Sequence, residues 1–405
     1  MDFFLMVISG AFSFYWVFLF TTHTYLLLIL SQLTYTDQII PFELSTHPKH
    51  CLSVGTRSRQ VRVPRVLAIE GPGEANARAE RTWRGRVPSE RQVNARSLPQ
   101  RDSLHRYEFT HPQMGTVFRL VMYAESETQA QAAATQAFAA VDSLNASMSD
   151  YLPDSELSRL CNQSGNGQSV EVSEDLWQIL KLSDRFSRQS GGAFDATVGP
   201  LTRLWRRARN LKEMPDSARI EEARQMVGFQ NISFKKGQKI ELKKTGMRLD
   251  LGGIAQGYAA DRCLKILRQN GIRRALADAG GDIALGDAPP GETGWTIEIP
   301  ASQSKEVTSS HLLTSLRLAN CGITTSGATF RYLEAGGKRY SHIVDPRTGW
   351  GMTHRVLVTV QAPDATTADA WATAISVLGE SGWKKLKRKH RRLKAWLTET
   401  PITAH

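Results

Sequence analysis

Apolar and polar positions divide the 405-residue chain into three stretches. From Phe3 to Leu33 there is no Asp, Glu, Lys or Arg, a run long enough to cross a bilayer as a helix. From about Thr36 to Arg106 the chain is rich in Arg, Pro, Gly and Ser, with few aromatics and no sustained period. Such a segment buries too little apolar surface to offset the entropy of ordering. From Tyr107 regular periods take over. The pattern predicts a hydrophobic membrane anchor or signal-like segment over 1–35, a basic low-complexity linker over 36–106, and a folded unit over 107–405.

Within that unit, Thr116 to Tyr123 is apolar and β-branched, as a buried strand requires. Ser126-Glu127-Thr128-Gln129 is a capping-box pattern, and Ala130, Ala133, Ala134, Ala137, Phe138, Val141 and Leu144 then recur at helical spacing. A second helix is expected from Ser173 to just before Gly191-Gly192. Leu249-Asp250-Leu251 reads as a short strand entering Gly252-Gly253, followed by a helix marked by Ala259, Cys263, Ile266 and Leu267 and ended by Gly271. Alternation at Trp295, Ile297 and Ile299, at Leu316 and Leu318, and the apolar run Val356 to Val360 predict further strands. Helices and strands mix without a regular βαβ rhythm. The expected class is α+β, with mainly antiparallel sheets and packed helices.

The formal net charge is +12, which brings nucleic acid, anionic membrane and anionic ligands into view. About half of the excess precedes residue 107, and another basic block spans Lys384 to Lys394. No zinc-finger spacing or RNA-binding signature accompanies it, so nucleic acid is not an expected partner. Cys51, Cys161, Cys263 and Cys321 are scattered without a CxxC pair, which fits neither a zinc site nor a dense disulfide framework. Asp2 precedes the hydrophobic run, while Lys49, Arg57, Arg59, Arg62 and Arg65 follow it, a bias that by the positive-inside rule leaves the folded unit cytoplasmic.

Five segments carry candidate chemistry. In Gly191 to Pro200, glycines allow close backbone approach to a ligand, and Thr197 with nearby N–H groups suits phosphate; equally, Asp195 closes its own turn. Asp250 to Tyr258 is a glycine turn opening a helix, whose N-terminal N–H groups favour anions, although it is neither GxGxxG nor a P-loop. Asp250 there is either a ligand contact or a turn residue. In Ala277 to Asp282 the glycines bend the chain, and Asp282 either faces a site or closes the turn. Asp369 and Thr373 stand four apart, on one helix face, where carboxylate and hydroxyl suit a hard cation such as Mg²⁺; singly, a helix dipole and a back-bonded hydroxyl explain them. His342, ahead of the Asp345-Pro346 and Thr348-Gly349 turn, offers an imidazole, a group whose ordinary titration range suits a general base, or is a structural histidine beside Asp345.

The motifs in their order resemble one family. Met114-Gly115-Thr116, Ser149-Asp150-Tyr151, Ser155 to Leu160, Gly192 to Leu201, the Asp250 to Asp261 segment, Gly280-Gly281-Asp282, Thr325-Ser326-Gly327, the His342 loop and the Asp369 helix make the stretch from Tyr107 to Leu397 similar to the ApbE-type FAD:protein FMN transferases. The resemblance implies a T-fold-like catalytic unit with FAD as substrate. It implies transfer of FMN to a Thr or Ser hydroxyl of an acceptor protein, such as a subunit of a membrane redox complex, with AMP released. It further implies FAD contacts from Met114, Tyr151, Asp195, Ala196, Thr197, Asp250, Gln256 and Ile343. Mg²⁺ would be held by Asp369 and Thr373 with the backbone of Gly253 and Ala372, and His342 would serve transfer.

Three departures stand out. Gln256 replaces a residue that is Lys or otherwise charged in many relatives, Cys161 a frequent Asn, and the amino-terminal extension is atypical. Relatives are commonly exported and lipid-anchored, so the resemblance implies a membrane-associated enzyme facing the periplasm or exterior, against the charge bias. Two rival functions are compatible with these residues, an FAD pyrophosphatase and a membrane-tethered, non-catalytic flavin-binding protein.

Overall fold

The computed structural model describes residues 5–9, 15–21, 24–30, 104–300, 313–327, 332–353 and 355–400. The chain divides into two compact units, Met1–Gln92 and Val93–His405. In the first, Leu5–Ser9, Tyr15–Thr21 and Thr24–Leu30 form a three-stranded antiparallel sheet. These are strands where the uncharged run predicts a helix; their aromatic and β-branched content favours extended backbone. Among the described residues no helix is long and apolar enough to cross a membrane. The linker expected over 36–106 lies, up to residue 103, outside the described residues.

The second unit is built on a seven-stranded antiparallel sheet: β1 (His105–Gln113), β2 (Thr116–Ala124), β3 (Ala275–Ala279), β4 (Asp282–Leu285), β5 (Cys321–Gly327), β6 (Arg355–Ala362) and β7 (Lys394–Thr400). Their order across the sheet is their order along the chain, and every neighbouring pair is antiparallel. Helices are inserted between strands: α1 (Glu127–Met148), α2 (Glu156–Asn162), α3 (Glu174–Ser190), α4 (Gly199–Leu211), α5 (Ser217–Gln225), α6 (Ala255–Gln269) and α7 (Ala365–Leu386). The α+β, mainly antiparallel architecture is the expected one.

Alternation along β2 shows how the sheet is covered. Leu120 and Met122 enter the main core with α1, α6 and α7, whereas Val121 joins a smaller cluster with Trp295, Ile297 and Ile299. That cluster includes residues of the hairpin Trp295–Pro300 and Leu313–Leu318. Ala130, Ala133, Ala134 and Ala137 of α1 are buried, and their small side chains allow close packing on α6. Ser126 caps α1 by accepting from the Gln129 backbone N–H at 3.2 Å, while the Gln129 side chain accepts from Glu125 N–H, also at 3.2 Å. Helix α3 starts after Ser173 and ends on left-handed Gly191, as its spacing predicts.

Within this second unit one expected element differs. Leu249 to Leu251 is irregular backbone rather than a strand, because its N–H groups find no ladder: Leu249 donates to the Cys161 sulfur at 3.2 Å and Asp250 to the Ala196 carbonyl at 2.8 Å. These bonds fix the approach to α6, and the thiol of Cys161 serves there as an acceptor.

Candidate active site

A cavity of about 410 Å³ opens where the 150–151 turn, α4, the start of α6, the 280–282 turn, β5, the 342–346 loop and α7 meet. One wall is the contact between α6 and α7. Two carboxylates set the start of α7: Asp364 accepts from Thr367 N–H at 2.7 Å, and Asp261 of α6 accepts from Ala365 N–H at 3.0 Å and from Thr366 N–H and hydroxyl at 2.8 and 2.6 Å. The helices touch at Gly257, where a Cβ would lie 2.3 Å from the Ala365 carbonyl oxygen and 2.8 Å from the Asp369 Cβ.

This packing carries Asp369 and Thr373 to the cavity. Asp369 is 5 % exposed and accepts from Gly257 N–H at 3.1 Å, so it is a buried carboxylate rather than an exposed first-turn one. Thr373 meets Gly253, whose Cβ, if present, would lie 2.8 Å from the Thr373 hydroxyl. Asp282, after the left-handed Gly280 and Gly281, lines the same cavity at 8 % exposure. Burial pushes Asp282 up to about 7, with Asp278 adding to the rise and Thr324 opposing it. Asp369 is held well above the usual carboxylate range by burial and then by the charge of Asp282.

The charges acting on this pair among the described residues are other carboxylates, so a divalent cation would relieve a real electrostatic cost there. Among the described residues no cluster of three or more His, Cys, Asp or Glu is found. A carboxylate, a hydroxyl and backbone beside an open cavity nevertheless suit Mg²⁺, which keeps waters and substrate phosphates among its ligands. The residues present therefore fit the ion. Gly253, Asp369 and Thr373 come together as the resemblance implies. Ala372 does not join them: it is fully buried, and its carbonyl accepts the Ser376 hydroxyl at 2.8 Å.

His342 and Ile343 also line the cavity, each half-buried. Their loop is held at several points. Ser341 N–H donates to Met352 carbonyl at 2.8 Å, Met352 N–H to Ile343 carbonyl at 2.9 Å, and Trp205 of α4 donates its indole N–H to Gly349 carbonyl at 2.9 Å. Asp345 accepts from the Arg347 backbone and guanidinium at 2.8 to 2.9 Å, so it closes the turn.

The Asp195 to Thr197 segment turns inward. Asp195 accepts from Thr197 N–H and hydroxyl at 2.8 and 2.7 Å and from Phe229 N–H at 3.0 Å, while the Thr197 hydroxyl accepts from Gly228 N–H at 2.7 Å. Thr197 is fully buried, and neither it nor Ala196 lines the cavity, although Asp195 does. Burial raises the Asp195 carboxyl against these bonds. The segment is chiefly a lock between loops.

At the cavity mouth Asp250 accepts from Gly252 N–H and Thr202 hydroxyl at 2.8 and 2.7 Å, and Tyr151 is 67 % exposed. Gln256 lines the cavity and donates to the Met114 carbonyl at 3.3 Å. Met114 itself, in the β1–β2 turn at φ 51°, packs against the core and does not line the cavity. Arg206, which no motif in the chain marks, lies among Asp150, Tyr151 and Asp250. Its helical spacing from buried Trp205 carried no signal, because the partners come from loops distant in the chain.

Comparison with known proteins bears on the family and the fold. The model of the ApbE family matches residues 114–397. A Klebsiella pneumoniae protein named FAD:protein FMN transferase is 32 % identical over 286 residues, 68 % of this chain and 79 % of that one. A Treponema pallidum protein of the same name is 32 % identical over 284 residues, 66 % of this chain and 77 % of that one. Among solved structures, the apo flavinyl transferase ApbE of Pseudomonas stutzeri superposes with a TM-score of 0.64 at 25 % identity, covering 74 % of this chain and 96 % of that one. The flavin transferase ApbE of Vibrio cholerae gives 0.64 at 25 % identity, covering 74 % and 98 %. Matched in sequence over most of its length and in fold, the chain belongs to the ApbE family.

Proposed function

We propose that this chain is an FAD:protein FMN transferase that, with Mg²⁺, moves the FMN part of FAD onto a Thr or Ser hydroxyl of an acceptor protein and releases AMP. The observation that carries the reading is the convergence of Gly253, Asp369 and Thr373 with buried Asp282 in a cavity also lined by His342. The names of the relatives supply the activity; the cavity supplies groups suited to it.

The acceptor oxygen bonds to the FMN-side phosphorus, the bond from that phosphorus to the bridging oxygen breaks, and AMP leaves with the bridging oxygen. The hydroxyl proton passes to the His342 imidazole. The start of helix α6 lies at the cavity, where its dipole favours the anionic diphosphate, although the Ala255 and Gly257 N–H groups are taken by the Leu251 carbonyl and the Asp369 carboxyl. Gly253 backbone, Asp369 and Thr373 would hold Mg²⁺, which when bound neutralises diphosphate charge. The remaining work is positioning, which phosphoryl-type transfer chiefly requires. Tyr151, Asp250, Gln256 and Ile343 stand where they can contact FAD.

Mass spectrometry of an acceptor protein incubated with this chain, FAD and Mg²⁺ tests the reading: FMN is expected on a Thr or Ser, with AMP in solution. Rapid formation of FMN and AMP without acceptor would instead establish a pyrophosphatase. We further propose that the uncharged segment within residues 1–35 tethers the enzyme to a membrane, with the catalytic unit on the periplasmic or outer side. Protease protection in intact cells tests that orientation.

A further inference from the structure

Tyr151 is a large aromatic left 67 % exposed at the mouth of the cavity. One of its faces is occupied: the Arg206 guanidinium carbon lies 3.9 Å from the ring centroid. The same guanidinium donates to Asp150 Oδ2 at 3.0 Å and approaches Asp250 Oδ2 at 3.8 Å. Arg206 is carried by α4, next to the buried Trp205, with its side chain 24 % exposed. Asp150 and Asp250 are more sheltered, at 14 % and 13 %. A mobile surface arginine would not be placed against two sheltered carboxylates and a ring at once.

The chemistry of the group explains the arrangement. A guanidinium is flat and weakly hydrated, so its face stacks on an aromatic ring while its in-plane N–H groups bond carboxylates at the edge. A lysine ammonium lacks that planar fork. Arg206 therefore joins three loop residues that the chain brings from two distant segments, 150–151 and 250. Asp250 is also fixed by the Thr202 hydroxyl, which donates to the same Oδ2, and by Gly252 N–H at Oδ1, which gives the clasp a rigid anchor. Tyr151 is left with one face against the cation and the rest of its ring largely open where it lines the cavity.

We infer that Arg206 is a positioning residue that holds the Tyr151 ring as a platform on which a flat heteroaromatic ring of the dinucleotide stacks. The inference rests on FAD being the substrate, and it adds a determinant of dinucleotide affinity to that reading. Arg206 itself lines the cavity, and the role assigned to it is to hold the ring rather than to take part in transfer. Its contribution passes through Tyr151.

A double-mutant cycle tests it. FAD binding is titrated, with Mg²⁺ present, to the full chain and to R206M, R206K, Y151L and the R206M/Y151L double variant. R206M is expected to weaken FAD binding about tenfold, in the range of a cation–aromatic contact. The double variant is expected to bind no more weakly than Y151L alone, because both changes remove one platform. In turnover the loss falls on KM rather than kcat. R206K keeps the charge but cannot stack and fork together, so it restores part of the affinity; it also carries the test if R206M does not fold. Unchanged FAD affinity in both Arg206 variants, or factors for Arg206 and Tyr151 that multiply in the double variant, would overturn the inference. Absence of FAD binding by the unaltered chain would instead remove the substrate reading on which it rests.

Discussion

Asp261 lies outside the cavity, yet it decides where α7 begins and so where Asp369 and Thr373 arrive. Replacing it with Ala removes three hydrogen bonds of 3.0, 2.8 and 2.6 Å and leaves the N–H groups of Ala365 and Thr366 without their acceptor. Lost bonds to a charged acceptor cost about 1.5 to 3 kcal/mol each. Against this, the variant no longer buries a carboxylate, and Asp364 still caps Thr367. The net loss is expected to be about 2 to 4 kcal/mol. Its pH dependence gives the sharper test.

Burial raises Asp261 to about 6 from an ordinary 3.8, against the bonds from Thr366 and Ala365. The folded chain therefore holds this proton more tightly than the unfolded chain. The stabilisation is complete below pH 4 and is lost as pH rises through 6. From pH 5 to 7.5 the wild-type chain should lose roughly 1 kcal/mol through this group, and Asp261→Ala none of it. Urea unfolding of both proteins in chelator, at the two pH values, reads the difference while the other carboxylates titrate in both. The gap between wild type and variant should be wider at pH 5. A gap as wide or wider at pH 7.5 would refute the argument.

Asp369→Asn should abolish Mg²⁺-dependent turnover, while chelator-treated protein unfolds at an equal or higher temperature, because a carboxyl whose ionised form is disfavoured by burial and by Asp282 gives way to a neutral amide; a clear fall in melting temperature would contradict this. His342→Ala should slow single-turnover transfer about 10²- to 10⁴-fold, and an unchanged rate would return it to a structural role. Asp195→Ala should cost about 3 kcal/mol in unfolding experiments, with the loss appearing in stability before FAD affinity, since its carboxylate serves Thr197 and Phe229. Gly253→Ala should weaken the Mg²⁺ requirement's midpoint, measured by titrating the ion, because the new methyl meets the Thr373 side chain.

Much of the architecture follows from short-range pattern. The alanine period of α1, the serine before α3 and the left-handed glycine after it are local preferences, and the structure keeps them. The strand expected at Leu249 to Leu251 fails for a complementary reason. Its apolar residues are buried, but whether a buried segment pairs as a strand depends on a neighbour with free backbone groups, and here the partners are a thiol and a loop carbonyl. Within the site, Asp369 and Thr373 are legible together because four residues make one helix turn. Asp195 and Thr197 look equally ligand-like in the chain, yet their polar atoms are engaged by backbone N–H groups from residues 228 and 229.

By itself the sequence determined most element types of the second unit, the family and the residue kinds available for chemistry, because periodicity, caps and ordered motifs are written locally. Tertiary structure alone decided which polar atoms remain for a ligand. It brought Gly253 against Thr373, turned Ala372 into the core, and set Arg206 between Asp150, Tyr151 and Asp250. The physical reason is that a polar side chain is available to a ligand only after buried N–H and hydroxyl donors have found their acceptors. That competition is settled between segments far apart in the chain.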